Sequence, residues 1–205
     1  MGKELKNAGS NVLLAPGMNI HRNPLCGRNF EYFSEDPLLT GKMAAAFVRG
    51  IQSSGGSACP KHFACNNQES SRTINNSIVS QRALREIYLK GFEICVKEAK
   101  PLNIMTSYNK INGVWSHYNY DLATTVLRKE WVFDGCVMTD WWMKSGKSEV
   151  FKTLENQAMN FQIFVITLIV SARRLTFICP AHLRERRKNI SLTIPFWKLS
   201  GLKTE

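Results

Sequence analysis

Short uninterrupted apolar runs alternate along this chain with longer stretches in which apolar residues recur every three or four positions. NVLL (11–14), SACP (57–60), LNIMTS (102–107) and GCVMT (135–139) read as buried strands, because runs this short and this apolar suit a strand covered on both faces. Helical patterns lie between them. Asp36 followed by Pro37 predicts a helix start, since an Asp accepts orphan amide hydrogens and Pro tolerates the first helical position. That helix should run to about Gln52 and stop at Gly55 and Gly56. Ser80 predicts a second start, with a helix to about Ala99 that places Leu84, Ile87, Tyr88, Ile94 and Cys95 largely on one face. A third helix is expected over 121–131.

Four strands at intervals of 33 to 46 residues, with helices between, indicate βα units and a parallel sheet. A barrel and an open doubly wound sheet both fit. The polar residues favour the barrel: 19–28 follow the first run, Lys61 and His62 the second, Tyr108 and Asn109 the third, and Asp140, Trp141 and Trp142 the fourth. Chemistry-bearing side chains at successive strand ends are how barrel enzymes build their sites. No GxGxxG or GxxxxGK[ST] loop follows any strand, so a nucleotide-binding sheet loses support.

Composition changes the picture little and charge changes it more. The 205 residues are 44% hydrophobic and 21% charged, which is ordinary globular usage. Of the net charge of +11, a net of +6 falls in 159–205, where eight basic residues face two acidic ones. The remaining 158 residues are only mildly basic and give no reason to invoke a polyanion. Six cysteines form no CxxC pair, so no zinc site is expected, and free thiols in a reducing cytoplasm are the simplest account. The sequons at Asn75 and Asn189 then carry no weight. FQIFVITLIV (161–170) is too short for a membrane span, which needs about 20 residues. No motif implies a metal, nucleotide or organic cofactor.

Taken together, NIHRNPLCGRNFEYFSEDP (19–37), KHFACNNQE (61–69), IMTSYNKING (104–113) and VMTDWW (137–142) closely resemble the catalytic barrel of family 3 glycoside hydrolases, the β-glucosidase group. The resemblance runs from about Ala8 to about Ala158. It implies retaining hydrolysis of β-glycosides through a covalent glycosyl-enzyme intermediate, with Asp140 of the TDW motif as nucleophile. Arg28, Lys61 and His62 match family positions that bind glycone hydroxyls, although Arg28 could instead pair with Glu31 or Asp36. Tyr108 matches the tyrosine beside the nucleophile. Trp141 is either a sugar platform or a plain core residue. The amino-sugar branch introduces its His-Asp acid/base with KHFPGHG, and KHFACNNQE departs from that toward the glucosidase and xylosidase branch.

The fold class expected is therefore α/β, an incomplete (β/α)8 TIM-type barrel of about four or more βα units over 1–158, followed by an irregular, divergent tail over 159–205. The family's first strands, its upstream glycone-binding Asp and the second domain carrying its acid/base Glu have no counterpart in this sequence. Exposed sheet edges and dependence on another polypeptide follow from that. The helical look of 148–158 still belongs to the family pattern; from Met159 it is lost, and the tail reads as out-of-frame or otherwise non-native sequence. A basic nucleic-acid module built on RERRKN (184–189) is its rival. The substrate expected is a β-glucoside or related oligosaccharide, with no nucleic-acid or membrane partner and little activity from this chain alone. A non-catalytic sugar-binding fragment and the non-functional product of a disrupted gene are the other readings.

Overall fold

A computed structural model describes residues 1–141 and the two-residue strand Phe177–Ile178. The helix expected over 148–158, the apolar run 161–170, the basic cluster 184–189 and Trp142 lie outside the described residues. After a short helix α1 (Gly2–Asn7), four parallel strands appear where the apolar runs placed them: β1 (Val12–Leu13), β2 (Ser57–Ala58), β4 (Asn103–Met105) and β7 (Cys136–Met138). β1 pairs with β2 in the register Val12 to Ser57, and β4 with β7 in the register Ile104 to Val137. The two pairs join through Met105 N–H to Pro60 O at 3.0 Å, Phe63 N–H to Met105 O at 2.8 Å and a parallel bridge from Phe63 to Thr106. Strand order thus follows chain order across β1, β2, β4 and β7, without the reversal that marks a doubly wound sheet. β8 (Phe177–Ile178) pairs in parallel with the other edge of β1. The β1–β2 ladder is short, and Pro16 and Pro60, which lack an N–H, lie just beyond it.

Helix α2 (Pro37–Gln52) starts as expected: the Asp36 carboxylate accepts from Leu38 N–H at 2.7 Å, with Pro37 in the first turn. Its buried stripe of Gly41, Ala44, Ala45, Val48 and Ile51 faces α4 (Lys90–Ala99), which buries Phe92, Cys95, Val96 and Ala99. The two helices approach through glycines: a Cβ on Gly41 would lie 2.8 Å from Ile94 Cβ and 3.0 Å from the Gly91 carbonyl.

The second helical stretch differs from expectation. Ser80 does cap it, accepting from Ala83 N–H at 3.2 Å, but only α3 (Gln81–Ala83) is α-helical before Leu84–Tyr88 winds as a π-helix. The wider turn closes through Leu89 N–H to Leu84 O at 2.8 Å and puts Leu89, 1% exposed, in the core in place of Ile87, 41% exposed. Asp121–Glu130 is also π-helical, and Leu122, Val126 and Leu127 are its buried residues. Between these helices Phe63 is fully buried, its ring 5.2 Å from Phe92 and 5.8 Å from Trp131 in edge-on contacts.

A small second sheet was not foreseen. β3 (Asn76–Ser77) pairs with β5 (Lys110–Ile111), which folds back on β6 (Val114–Trp115) through Asn112 and Gly113. Both turn residues have positive φ, 50° and 92°, as a tight hairpin of this kind requires.

The glycine contact between α2 and α4 gives a paired expectation. Gly41→Ala should destabilise by about 1–3 kcal/mol through overpacking, whereas Gly50→Ala, with nothing within 4 Å of the new Cβ, should stabilise by about 0.5–1 kcal/mol. Urea midpoints of the two variants should move in opposite directions, and equal shifts would contradict this account of the helix crossing.

Candidate active site

Each expected site residue follows a parallel strand, and all but Arg28 lie within a few residues of its carboxyl end. Arg28 ends the loop after β1 and precedes the 3-10 turn Asn29–Glu31; Lys61 and His62 follow β2, Tyr108 follows β4, and Asp140 with Trp141 follows β7. Lys61, His62, Tyr108 and Asp140 are buried, at 5%, 1%, 6% and 8% exposure.

His62 is held on every side. Its backbone N–H donates to Asn19 Oδ1 at 2.8 Å, and Asn19 Nδ2 donates to its carbonyl at 2.9 Å. Its ring Nδ1 lies 3.1 Å from the Tyr32 hydroxyl, and its Nε2 lies 3.6 Å from Asp140 Oδ2. The other Asp140 oxygen accepts from Trp141 N–H at 2.8 Å. Burial raises the Asp140 carboxyl above its ordinary 3.8, against the charges of Arg28, Lys61 and Arg72, which favour the anion. Burial and the same three cations drive His62 well below 6.5, so its imidazole is neutral at pH 7.

The cations have their own counter-charges. Arg28 Nε pairs with Glu31 Oε1 and lies 4.0 Å from Glu69 Oε1, and Lys61 Nζ lies 3.6 Å from Glu31 Oε2. Of the alternatives for Arg28, the pair with Glu31 is present and part-buried, and the Arg28 charge also bears on Asp140. Arg72 donates to Glu69 Oε2 at 2.8 Å while its guanidinium sits 4.7 Å above the Tyr108 ring. Tyr108 donates to the Trp141 carbonyl, and burial with the nearby Asp140 charge raises its phenol to about 12. Trp141 packs with Met138 against Val12, Leu14, Cys59 and Met105, flanking the sheet.

The structure thus brings Arg28, Lys61, His62, Tyr108 and Asp140 into one network, with Trp141 at its border. Sequence reasoning missed Arg72 and Tyr32, and it offered Glu31 as a partner of Arg28 but not of Lys61. The acid-base spacing Glu69 to Arg72 was the available signal for the first; nothing local marked Tyr32. Cys26, Cys59, Cys65, Cys95 and Cys136 are unbridged, and no cluster of three or more His, Cys, Asp or Glu suited to a metal occurs among the described residues. No described helix is long and apolar enough to cross a membrane.

The family model described as the glycosyl hydrolase family 3 N terminal domain matches residues 1–162. A beta-glucosidase from Ruminococcus albus is 57% identical over 142 residues, which are 69% of this chain and 15% of that protein. An exo-alpha-(1->6)-L-arabinopyranosidase from Bifidobacterium longum is 58% identical over 130 residues, covering 63% of this chain and 17% of the relative. Beta-glucosidase 3B from Thermotoga neapolitana, solved in complex with alpha-D-glucose, superposes with a TM-score of 0.71 at 47% identity, over 80% of this chain and 27% of that one. The chain belongs to glycosyl hydrolase family 3. It spans 15% to 17% of the length of these two curated relatives.

Two histidines make the fold acid-sensitive. His62 is held well below 6.5 and burial lowers His117 to about 4, so both stay neutral in the folded chain while their unfolded counterparts take up protons. Their contribution is complete above pH 6.5 and is lost as pH falls toward the folded values. The raised Asp140 acts oppositely: its ionisation costs stability above its folded pKa, and that cost is absent below 3.8. Urea midpoints should fall as pH drops from 7 to 5, and His62→Gln should reduce the slope by up to about 1.4 kcal/mol per pH unit. Identical slopes would contradict a neutral buried His62.

Proposed function

We propose that this chain carries the nucleophile and the glycone-binding side of a retaining β-glycosidase site acting on β-glucosides. The observation that carries this reading is Asp140: a buried carboxylate at a strand end, 3.6 Å from a neutral imidazole and within the field of Arg28, Lys61 and Arg72. Such a group can attack an anomeric carbon and, as an anion, stabilise the oxocarbenium-like transition state beside it. Lys61, Arg28 and the His62 ring supply donors for sugar hydroxyls, and Tyr108 holds the Asp140–Trp141 turn by donating to the Trp141 carbonyl. Trp141 serves as an apolar flank of the glycone site. The beta-glucosidase relatives support glucose as the glycone; the arabinopyranosidase relative supports an α-L-arabinopyranoside as a second one.

Retaining hydrolysis also needs an acid/base carboxyl about 5–5.5 Å from the nucleophile. Glu31 and Glu69, the other carboxylates of the network, are each held by two cations and so are not free to meet a leaving-group oxygen. The acid/base therefore comes from outside the described residues. On this reading the sequential parallel strands form an arc of a (β/α)8 barrel over 1–158, and 159–205, of which only the short strand β8 beside β1 is described, is not a domain of its own.

A 2,4-dinitrophenyl 2-deoxy-2-fluoro-β-glucoside needs no acid to expel its leaving group, so it isolates the nucleophilic step. The 205-residue chain should gain one fluoroglucosyl group, mapped to Asp140 by peptide mass spectrometry, and Asp140→Ala should gain none. Unactivated aryl β-glucosides should be turned over by these 205 residues far more slowly than by the beta-glucosidase of Ruminococcus albus. Labelling elsewhere, or none, would overturn the assignment of Asp140; ordinary turnover of unactivated glucosides would overturn the missing acid.

A further inference from the structure

We propose that Tyr32 is a positioning residue: its hydroxyl relays a directed hydrogen-bond chain from Asn66 that holds His62 as the Nε2–H tautomer facing Asp140. The direction follows by elimination. Asn66 has one side-chain atom 3.0 Å from Glu69 Oε1 and 3.2 Å from the Tyr32 hydroxyl. A carboxylate only accepts, so that atom is the amide Nδ2; reversing the amide would set two oxygens 3.0 Å apart. This orientation leaves the buried Asn66 Oδ1 without a hydrogen-bond partner among the described residues, a smaller cost than an oxygen against a carboxylate.

Nδ2 therefore donates to the Tyr32 oxygen as well. The hydroxyl has one proton, and its other partner among the described residues is His62 Nδ1 at 3.1 Å. The proton points there, and Nδ1 accepts. A neutral imidazole that accepts at Nδ1 carries its hydrogen on Nε2. That N–H faces Asp140 Oδ2 from 3.6 Å, longer than a hydrogen bond but attractive to the anion, whereas the opposite tautomer would turn a lone pair toward the carboxylate. Tyr32 is buried, and burial raises its phenol far above 10, so it remains a donor at any working pH. The catalytic consequence rests on the glycosidase reading: His62 presents a donor, not an acceptor, to a sugar hydroxyl bound beside it and Asp140.

The tautomer can be read without turnover. Long-range proton–nitrogen correlation spectra of the uniformly labelled chain at pH 7, with His62 assigned by its loss in His62→Gln, should show a pyridine-type Nδ1 and a pyrrole-type Nε2. In Tyr32→Phe the two shifts should move toward each other as the Nδ1–H form gains population. The rate constant for Asp140 labelling at saturating fluoroglucoside should fall about tenfold, with its half-saturation concentration less affected. A pyrrole-type Nδ1 in the wild-type chain overturns the proposal even if Tyr32→Phe fails to fold, and so do shifts unaltered in a folded Tyr32→Phe. Failure of the wild-type chain to label overturns the glycosidase reading alone, and the spectra still decide the tautomer.

Discussion

Asp140 is a carboxylate taken almost wholly out of water, and the loops around it are arranged to make its ionised form tolerable. An unpaired buried carboxylate would neutralise itself by taking up a proton. Here three cations, Arg28, Lys61 and Arg72, act on it through space while Glu31 and Glu69 hold those cations in place. Three positive and three negative groups balance when Asp140 is ionised. The balance is not perfect for stability, since burial still raises the Asp140 pKa, and that residual cost is what a nucleophile in a low-dielectric site carries. Positive charge developing on a bound sugar would find the anion close by and weakly screened.

The scaffold serves this arrangement through one stretch of chain. Over 61–64 the segment after β2 sends Lys61 and His62 into the charged network and Phe63 and Ala64 into the core, where Phe63 meets Phe92 and Trp131. A shift of Phe63 would therefore move His62. The reciprocal bonds between Asn19 and the His62 backbone add a second anchor from the loop after β1, so the site's geometry depends on two strands and two helices at once.

Much of this was legible in the residues. The four apolar runs marked the four parallel strands, Asp36-Pro37 marked the start of α2, and the polar residues at the strand ends marked the network. What stayed hidden had a physical reason. Ile87 was assigned to the buried face on a 3.6-residue period, but a π turn advances the chain differently and Leu89 takes that place. The Asn112-Gly113 hairpin was passed over because it lies inside a longer motif read for its chemistry. Tyr32 sits in an irregular loop with no periodicity, and its role arises from Asn66 and His62, which only tertiary structure brings to it.

The most direct measurement is a crystal structure of the 205-residue chain with bound D-glucose. The sugar is expected with its anomeric carbon about 3–3.5 Å from an Asp140 oxygen and its hydroxyls within hydrogen-bond reach of His62 Nε2 and Lys61 Nζ. A sugar bound away from Asp140, or with its anomeric carbon turned from that carboxylate, would contradict the account.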